Sequence, residues 1–454
     1  MFRALAVAVG VTAALVVPSA RVANGTVEVH SCTEAAFDAA LLQGGLVTFA
    51  CDGVLPITTT KHVPAGRFVA LDGHGHDVTL DGGGVVQLFV VAPGGALHLN
   101  SLTLIRGRAM QGGAIRNEGA LRVTDSAFTG HLSFDRGGAI GSFGPGASLS
   151  IEGCHFENNR GFGGGAVANG SFLGLRGDMT VIRSAFVGNT AQFAGALLTG
   201  GDAVEISDSE FRENSSSQQG GAIVNARNLG ILRSTFIANT AGSSGGAIEN
   251  GASGLLRVEH STFGSQAASG AGGAINNLGV AHVSHSSFWS NSASAGGAIG
   301  GFGQPGVGSA LLIDQSRFTA NVATGPGGAL SLLGSLSATL SLLQFDGNSA
   351  NLGGAVAALP FLGSPTVGVL HTGFRHNKAT TQGGALFTAA PTVLRFAQAI
   401  DNEAASGGGV FTMSALFLEH VLVAKNIGGD CAEAAGGSIS DAGHNVVLDG
   451  SCGL

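Results

Sequence analysis

A four-residue block, Gly-Gly-Ala followed by an aliphatic residue, recurs along most of the chain and limits the possible folds more than any other feature. Complete copies begin at Gly112, Gly137, Gly164, Gly220, Gly245, Gly272, Gly296, Gly327, Gly353 and Gly383. Degenerate copies begin at Ala194 and Gly407. Successive copies are about 27 residues apart on average, and a repeat of this length indicates a solenoid, a propeller or an array of small units. We therefore expect one structural unit stacked many times.

A second motif, Phe followed three positions later by Asn, precedes most of these blocks. It is present at Phe156, Phe186, Phe211, Phe236, Phe288, Phe318, Phe345 and Phe374. In two further repeats His131 and Gln266 occupy the Asn position. The period is longer than that of a hexapeptide β-helix, and the helical patterns of ankyrin or tetratricopeptide units are missing. Because the two motifs keep the same order, each repeat is expected to fold in the same way.

The residues around each Phe indicate how one unit folds. Positions seven and five before the Phe are mostly aliphatic, as in Leu256 and Val258 before Phe263. This alternation is typical of a strand with one buried face. The position two before the Phe is mostly Ser and, like the Phe itself, is expected to point inward. The inward positions are therefore odd-numbered before this point and even-numbered after it, which indicates a bend between two strands. The Gly-Gly-Ala-aliphatic block supplies a third strand.

These patterns predict an all-β fold. We expect a single right-handed parallel β-helix (a solenoid) with about 12 recognisable coils of about 27 residues each. Stacked coils would place Phe on Phe and Ile on Ile at a spacing of about 4.8 Å, and Asn at a corner would bond the backbone of the next coil. The variable position three before each Phe is interpreted as solvated surface.

The composition supports this fold and excludes several others. Gly contributes 77 of 454 residues, whereas Pro contributes 10, so collagen and Pro/Gly-rich disordered chains do not fit. Gly permits positive φ at corners and close approach of neighbouring backbones. Only 11% of the residues are charged and the formal net charge is −8, with no basic block. A nucleic-acid partner is therefore not expected.

The N-terminal segment is predicted to be a targeting signal rather than part of the fold. In residues 1–23, Arg3 precedes an apolar run that is followed by small residues. This order is typical of a cleaved secretory signal peptide, and the run is shorter than the roughly 20 residues of a membrane-spanning helix. We therefore expect a protein that is secreted or displayed on the cell surface, with no transmembrane segment in the mature chain.

The five cysteines agree with export. Cys32 and Cys51 lie near one end of the chain, and Cys431 and Cys452 lie near the other. Two local disulfides in an oxidising compartment are therefore predicted. Cys154 occupies the Ser position of its repeat and is interpreted as a small buried thiol. The cysteine spacing of a zinc site is absent, so no metal is expected.

The ends of a solenoid need caps because an exposed terminal coil is an edge that aggregates. We assign residues 24–100 to an N-terminal cap and the first coils, residues 101–427 to the repeats, and residues 428–454 to a disulfide-closed cap. Within the first part, Ser31 is interpreted as the N-cap of a capping box. Residues 33–43 are predicted to form a short amphipathic capping helix that plugs the N-terminal end.

The paired GGA[ILV] and FxxN signatures resemble the repeats of polymorphic outer membrane proteins. More broadly, the chain is similar to secreted right-handed parallel β-helix proteins of the pectate-lyase-like superfamily. The first resemblance implies a surface-exposed or secreted protein, in some relatives an adhesin, and places it at a cell outer membrane. The superfamily also contains polysaccharide lyases and hydrolases, so the resemblance leaves an enzymatic activity open.

One cluster of acid–base side chains stands out. It consists of Glu259, His260, His285 and Asp314. Glu259 and Asp314 fall in one column two coils apart, so their backbones should lie about 9–10 Å apart, which suits the carboxylate pair of an inverting glycosidase. No outward column supplies the adjacent carboxylates that a calcium-dependent lyase needs. These four residues are candidates for an enzyme only, and no catalytic site is predicted.

The sequence favours a non-catalytic β-helix that acts as a structural or adhesin-like interaction rod outside the cell. The alternative is a protein that binds or cleaves polysaccharides along one face. An outward aromatic platform would favour the alternative, and Trp289 is the only Trp. No cofactor is expected, the partners would be cell-surface components or glycans, and the chain is expected to be a monomer.

Overall fold

The computed structural model describes residues 25–170 and 177–453. They form a right-handed parallel β-helix, which confirms the predicted fold class. One α-helix, α1, spans Glu34–Gln43 and precedes the first complete coil. The predicted signal peptide, residues 1–23, lies outside the described residues.

Four parallel sheets run along the β-helix. Sheet A contains Thr26–Val29, Gly45–Phe49, Phe68–Asp72, Ala96–Asn100, Ala120–Thr124, Ala147–Glu152, Gly177–Ile182, Val204–Ser207, Asn228–Leu232, Leu255–Glu259, Val280–Ser284, Ala310–Asp314, Ser337–Ser341, Thr366–Leu370, Thr392–Arg395, Ala415–Glu419 and Ser438–Asp441. Sheet B contains Gly53–Pro56, Val78–Asp81, Thr103–Ile105, Ala127–Thr129, His155–Glu157, Ala185–Val187, Glu210–Arg212, Thr235–Ile237, Thr262–Gly264, Ser287–Trp289, Arg317–Thr319, Gln344–Asp346, Gly373–Arg375, Gln398–Ile400, Leu422–Ala424 and Val446–Val447.

The other two sheets are C and D, and most strands of sheet D are only two residues long. Sheet C contains Lys61–Val63, Phe89–Val91, Ile115–Asn117, Ile140–Ser142, Val167–Asn169, Leu197–Thr199, Ile223–Asn225, Ile248–Asn250, Ile275–Asn277, Ile299–Gly303, Leu330–Gly334, Val356–Leu359, Leu386–Thr388, Val410–Thr412 and Cys431–Glu433. Sheet D contains Arg108–Ala109, Leu132–Ser133, Thr190–Ala191, Ser215–Ser216, Thr240–Ala241, Ala267–Ala268, Ser292–Ala293, Val322–Ala323, Ser349–Leu352 and Lys378–Gln382, in two separate runs.

The coil count exceeds the number of marked repeats. Sheet C has 15 strands in the described chain. Two of them, Lys61–Val63 and Phe89–Val91, precede the first Gly-Gly-Ala block, and Cys431–Glu433 follows the last. Three coils therefore form without the repeat signature. The expectation of three strands per coil also needs correction, because the short strands of sheet D add a fourth segment to most repeats.

The interior is built of matched columns. The ten Phe rings from Phe128 to Phe374 stack on one another with centroids 4.7–5.0 Å apart. The Asn column is fully buried, and each amide bridges neighbouring coils. Asn214, for example, donates from its backbone N–H and from Nδ2 to Oδ1 of Asn239, both at 3.0 Å. The expected bond from Asn to the backbone of a neighbouring coil is present, since Nδ2 also reaches the Phe186 carbonyl at 2.9 Å.

The Gly-Gly-Ala block has a steric cause. The first Gly of each complete block has a positive φ, 64° at Gly220. A Cβ on the second Gly would overlap the carbonyl oxygen of the equivalent Gly in the next coil, as Gly221 would with Gly246. The following Ala is fully buried, as at Ala222. Backbones of successive coils thus meet at a corner where no larger residue fits.

The bend between sheets A and B lies at the position three before each Phe. The residue there has a positive φ in every marked repeat from Asp125 onward, 46° at Arg233 and 48° at His260. Several of these side chains form stacked pairs rather than an unstructured solvated surface. The rings of His260 and His285 are 4.7 Å apart.

The N-terminal end is closed by α1. Thr33, not Ser31, is the N-cap, because the Thr33 side chain accepts from the Ala36 N–H at 3.4 Å. Glu34 does not complete a capping box; its carboxylate instead accepts from Lys61 Nζ at 2.6 Å and from the Thr58 N–H at 2.9 Å. Phe37 is fully buried against the first coils. The capping helix is therefore present, with a different start.

Both predicted disulfides are present. Cys32 and Cys51 join the segment before α1 to the end of the second strand of sheet A, with Cα atoms 5.7 Å apart. Cys431 and Cys452 join the last strand of sheet C to the C-terminal segment, with Cα atoms 4.9 Å apart. Each disulfide lies in a terminal cap of the β-helix, where the coil stack has a neighbour on one side only.

Candidate functional site: a groove on the outer face of sheet B

The four candidate acid–base residues lie along the corner between sheets A and B. Glu259 and Asp314 end two strands of sheet A and occupy one column, with Ser284 in the coil between them. His260 and His285 follow at the corner and stack on each other. The structure thus brings the four side chains to one surface. No activity of this cluster is tested by its geometry, and it stays a prediction.

Both carboxylates of the cluster already have partners. Glu259 accepts from Arg257 at 2.6 Å, and Asp314 lies 3.4 Å from Nε2 of His282. The second oxygen of Asp314 is buried and has no hydrogen-bond partner in the described part of the chain. Arg257 and His282, which the sequence analysis did not select, are adjacent in the register of sheet A.

Sheet A carries three Arg residues in its described strands, and all three are neutralised. Arg122 lies 3.5 Å from Glu152, Arg257 lies 2.6 Å from Glu259, and Arg395 lies 2.6 Å from Glu419. The outer face of sheet A therefore presents closed ion pairs. Such exposed pairs leave little net charge with which to attract a ligand.

A groove with a volume of about 670 Å³ crosses the outer face of sheet B. It spans four successive strands, Arg317–Thr319, Gln344–Asp346, Gly373–Arg375 and Gln398–Ile400. Its length over these coils is about 14 Å, given the spacing of parallel strands. A shallow depression of this length suits an extended ligand that lies along the axis of the β-helix.

Gly373 forms the floor of this groove. It stands in register between Gln344 and Gln398, where neighbouring coils carry long polar side chains. A Cβ at Gly373 would meet no atom within 4 Å, and its φ is not in the positive range. The Gly is therefore required neither by close packing nor by backbone conformation, and its effect is to leave open space in the middle of the groove.

Two arginines line the groove without a partner. Arg317 and Arg375 are both exposed, and no residue of the described chain forms an ion pair or side-chain hydrogen bond with either guanidinium. The carboxylate of Asp346 is 2.9 Å from Nδ1 of His376, a contact on the same side of the groove. The sheet B groove therefore offers free guanidinium groups, which bind carboxylate or sulfate oxygens in a bidentate manner.

Stacked rings form one wall of the groove. His371 and Phe396 occupy the corner between sheets A and B, with ring centroids 4.8 Å apart. The column continues beyond the groove through His420 and His444, at 4.8 and 4.6 Å. Ring stacking fixes the side chains of a corner that would otherwise be mobile, so the wall is preformed.

Trp289 extends the same face toward the N-terminal end. It is in register with Thr319, and through it with Asp346 and Arg375. Its ring lies flat against the backbone of Gly264, where a Cβ would overlap it. The side chain remains 37% exposed. An exposed, flat indole ring in line with polar side chains is a common platform for the apolar face of a sugar.

The sequence did not reveal this groove. Arg317, Gly373 and Arg375 flank the Phe column at positions that vary freely between repeats, and the sequence analysis ignored them. The available signal was a Gly on an outward strand position that needs no Gly. Cys154, by contrast, is as predicted: it is buried, and burial raises the pKa of its thiol to about 11, so it is not a nucleophile.

The comparisons with known proteins give the fold only. No family model matches the chain, and no curated protein matches it. The resemblance to polymorphic outer membrane protein repeats therefore stays a prediction. Among solved structures, the chain is similar to the PL6 family alginate lyase AlyGC, with 10% identity, a TM-score of 0.29 and coverage of 93% of this chain and 79% of that chain. A mutant of the same lyase matches at 10% identity and a TM-score of 0.23, with coverage of 93% and 99%.

In residues 25–170 and 177–453, no helix is long and apolar enough to cross a membrane. Over the same ranges, no group of three or more His, Cys, Asp or Glu side chains is placed to hold a metal ion.

Proposed function

We propose that this chain is an extracellular, non-catalytic binding rod that holds a linear acidic polysaccharide in the groove on sheet B. The observation that carries the proposal is a pair of guanidinium groups without a partner among the described residues: Arg375, in the same strand as the open floor at Gly373, and Arg317, two coils away in the same column as Gly373. Export through the predicted signal peptide, residues 1–23, belongs to the same proposal and rests on the sequence alone.

The repeat of the β-helix suits a repeating ligand. Successive coils rise by about 4.8 Å, which is close to the length of one pyranose unit in an extended chain. Arg317 and Arg375 lie two coils apart, so carboxylates on alternate sugars could reach both. Gln344 and Asp346 lie in the coil between them and Gln398 in the coil beyond Arg375, so these side chains supply hydrogen-bonding groups along the groove. Trp289 lies farther along the same line and can stack against another sugar.

Binding is favoured over cleavage by the carboxylates available. A glycosidase needs two carboxyl groups on either side of the scissile bond. Asp346 is the one carboxylate among the described residues that line the groove, and His376 engages it. The cluster of Glu259, His260, His285 and Asp314 lies along the same corner between sheets A and B, two to four coils before Gly373, and none of its four residues lines the groove. The alternative of polysaccharide cleavage therefore has no support in the groove.

A substitution that fills the floor tests the proposal. Gly373→Trp should lower affinity for polygalacturonate and hyaluronan at least ten-fold, because the indole would occupy the space over the sheet. Gly368→Trp is the matched control: it lies in the same coil, on sheet A, and a Cβ there also meets no atom within 4 Å. Affinity would be measured by surface immobilisation of each polymer, with neutral dextran for comparison.

The outcomes separate the alternatives. The proposal requires binding of the acidic polymers by the parent chain and by Gly368→Trp, with loss on Gly373→Trp and on Arg317→Ser. Equal loss in both Trp variants, or stronger binding of dextran than of polyuronates, would overturn it. Release of new reducing or unsaturated ends during the incubation would show that the chain cleaves the polymer. The proposed binding function would then be replaced by an enzymatic one.

A further inference from the structure

A buried carboxyl group lies on the outer side of sheet C. Glu249 is the middle residue of the strand Ile248–Asn250 and is only 2% exposed. Its two neighbours in the strand, Ile248 and Asn250, are fully buried toward the interior, so its own side chain points to the opposite face. The equivalent residues in the adjacent coils are Val224 and Asn276. Neither adjacent side chain carries a charge.

The partners of Glu249 are neutral. Ser244 donates its hydroxyl to Oε2 at 2.8 Å, and Nδ2 of Asn276 lies 3.1 Å from each carboxylate oxygen. No basic residue of the described chain forms an ion pair with it. Burial raises the pKa of Glu249 to about 7, and the hydrogen bonds from Ser244 and Asn276 oppose that rise. The charged form is therefore disfavoured, because the site lacks a counter-ion.

Glu249 lines a pocket with a volume of about 460 Å³. The walls are mostly apolar, formed by Phe193, Val224, Ala226, Ala252 and Leu278. Arg227 is the other charged residue among the described lining residues, and its guanidinium is 2.6 Å from Asp202. An apolar pocket with one uncompensated carboxyl group at its edge is complementary to a cation that carries an apolar arm.

We propose that this pocket binds a primary ammonium group on a short aliphatic arm, with Glu249 as its counter-ion. The site lies on sheet C and is separate from the sheet B groove, so it does not depend on the proposed polysaccharide function. The bound ammonium would donate to the carboxylate oxygens that Ser244 and Asn276 leave partly free. The aliphatic arm would lie against Val224 and Leu278. A neutral or anionic ligand of the same shape would leave the buried charge uncompensated.

The expected pH dependence has a definite sign. Because the folded protein holds the Glu249 proton up to a higher pH than the unfolded chain does, stability falls as pH rises from about 4.5 to about 7. An ammonium ligand binds the charged form, so its affinity rises over the same range and reaches a plateau above pH 7.

The test uses n-butylammonium as the probe on the whole chain. At pH 8 it should raise the thermal midpoint of the parent chain saturably, and its affinity should fall at least ten-fold at pH 5, where Glu249 is protonated. The isosteric variant Glu249→Gln should fold, lose the decrease of stability with pH and lose the probe-induced shift. Glu205→Gln is the control, since desolvation also raises the pKa of this carboxyl, which lies on sheet A outside the pocket.

Three results would overturn the proposal. One is an equal midpoint shift in Glu249→Gln, which would place the amine elsewhere. Another is an equal or larger shift with 1-butanol or butyrate, which would show that the pocket selects shape rather than charge. The third is no saturable shift with butylammonium at pH 8. Polysaccharide binding, measured separately, should be unchanged in Glu249→Gln whatever the outcome.

Discussion

Two of the corners with positive φ in each repeat, the one between sheets A and B and the one between sheets B and D, are built in opposite ways. Between sheets A and B the corner residue is exposed and varies freely: Asp208, Arg233 and His260 follow one another in successive coils. Between sheets B and D, the residue after the positive-φ position is fully buried and is almost always Asn, as in Asn214 and Asn239. Both corners stack like positions at the same spacing, so geometry alone does not explain the difference.

The difference lies in what satisfies the backbone. At the exposed corner the N–H of Arg233 donates to the Glu259 carbonyl of the next coil at 3.0 Å. No side chain is therefore needed to satisfy the backbone there. At the buried corner the N–H of Asn214 donates instead to the side-chain oxygen of Asn239. A buried N–H must have a partner, and here only an amide side chain of the right length supplies it. Residue identity is therefore imposed at one corner and free at the other.

The largest loss of stability is expected from removing one amide side chain from the buried Asn column. Asn239→Ala removes the acceptor of the Asn214 N–H and Nδ2 and the donor to the Phe211 carbonyl. With several buried groups left unpaired, we expect a loss of about 3–5 kcal/mol in unfolding free energy. Urea titration would give the midpoint, and amide exchange should show the loss centred on this coil.

The same coil supplies the control for that experiment. Arg233→Asn changes the exposed corner, where Asn tolerates positive φ, and breaks only the surface pair with Asp208. Its unfolding midpoint should stay close to that of the parent chain. If Arg233→Asn destabilised the protein as much as Asn239→Ala, the contrast between the two corners would be wrong.

An intermediate effect is expected where the backbones of neighbouring coils touch. Gly221→Ala places a Cβ against the Gly246 carbonyl, so the coils must shift apart, at a cost of about 1–3 kcal/mol. Gly368→Ala is the matched substitution on the open face of sheet A, and there the reduced entropy of the unfolded chain should make it neutral or slightly stabilising. The two unfolding midpoints, measured under one condition, should move in opposite directions or differ clearly in size.

These contacts explain which parts of the molecule could be predicted. The Phe, Asn and Gly-Gly-Ala columns are imposed by burial, so they recur, and the β-helix and its caps followed from them. The first coils, at Lys61–Val63 and Phe89–Val91, lack the signature, and they contact α1 through Lys61 and Phe89. They were expected only as unmarked coils.

The candidate sites were harder to predict for the same reason. The outward positions of the strands are not buried, so their residues do not recur from coil to coil, and this holds for Arg317, Arg375 and Gly373. The floor of the groove is open because Gly373 lacks a side chain. The column of Glu259 and Asp314 was visible from the register, whereas their partners Arg257 and His282 were not, since an ion pair depends on rotamers. Glu249 was hidden because a Glu on a strand that follows Gly-Gly-Ala is indistinguishable from a solvated residue in the sequence.

His131 and Gln266 both occupy Asn positions of the buried column, and the smallest effect is expected from replacing Gln266 with Asn. Gln266 accepts from the N–H and Nδ2 of Asn239, but its own amide donates back to Gly264 in the same coil at 2.9 Å, not to Asn291. Gln266→Asn would restore the donor to Asn291 and remove one methylene from a packed site. A gained hydrogen bond contributes about 0.5–1.5 kcal/mol and the lost methylene costs about 1 kcal/mol, so the two nearly cancel. We expect an unfolding midpoint within error of the parent chain or slightly above it. A loss of unfolding free energy comparable to that of Asn239→Ala would mean that each amide in the column fits only its own coil. The residues of the buried corner could then not be exchanged between coils.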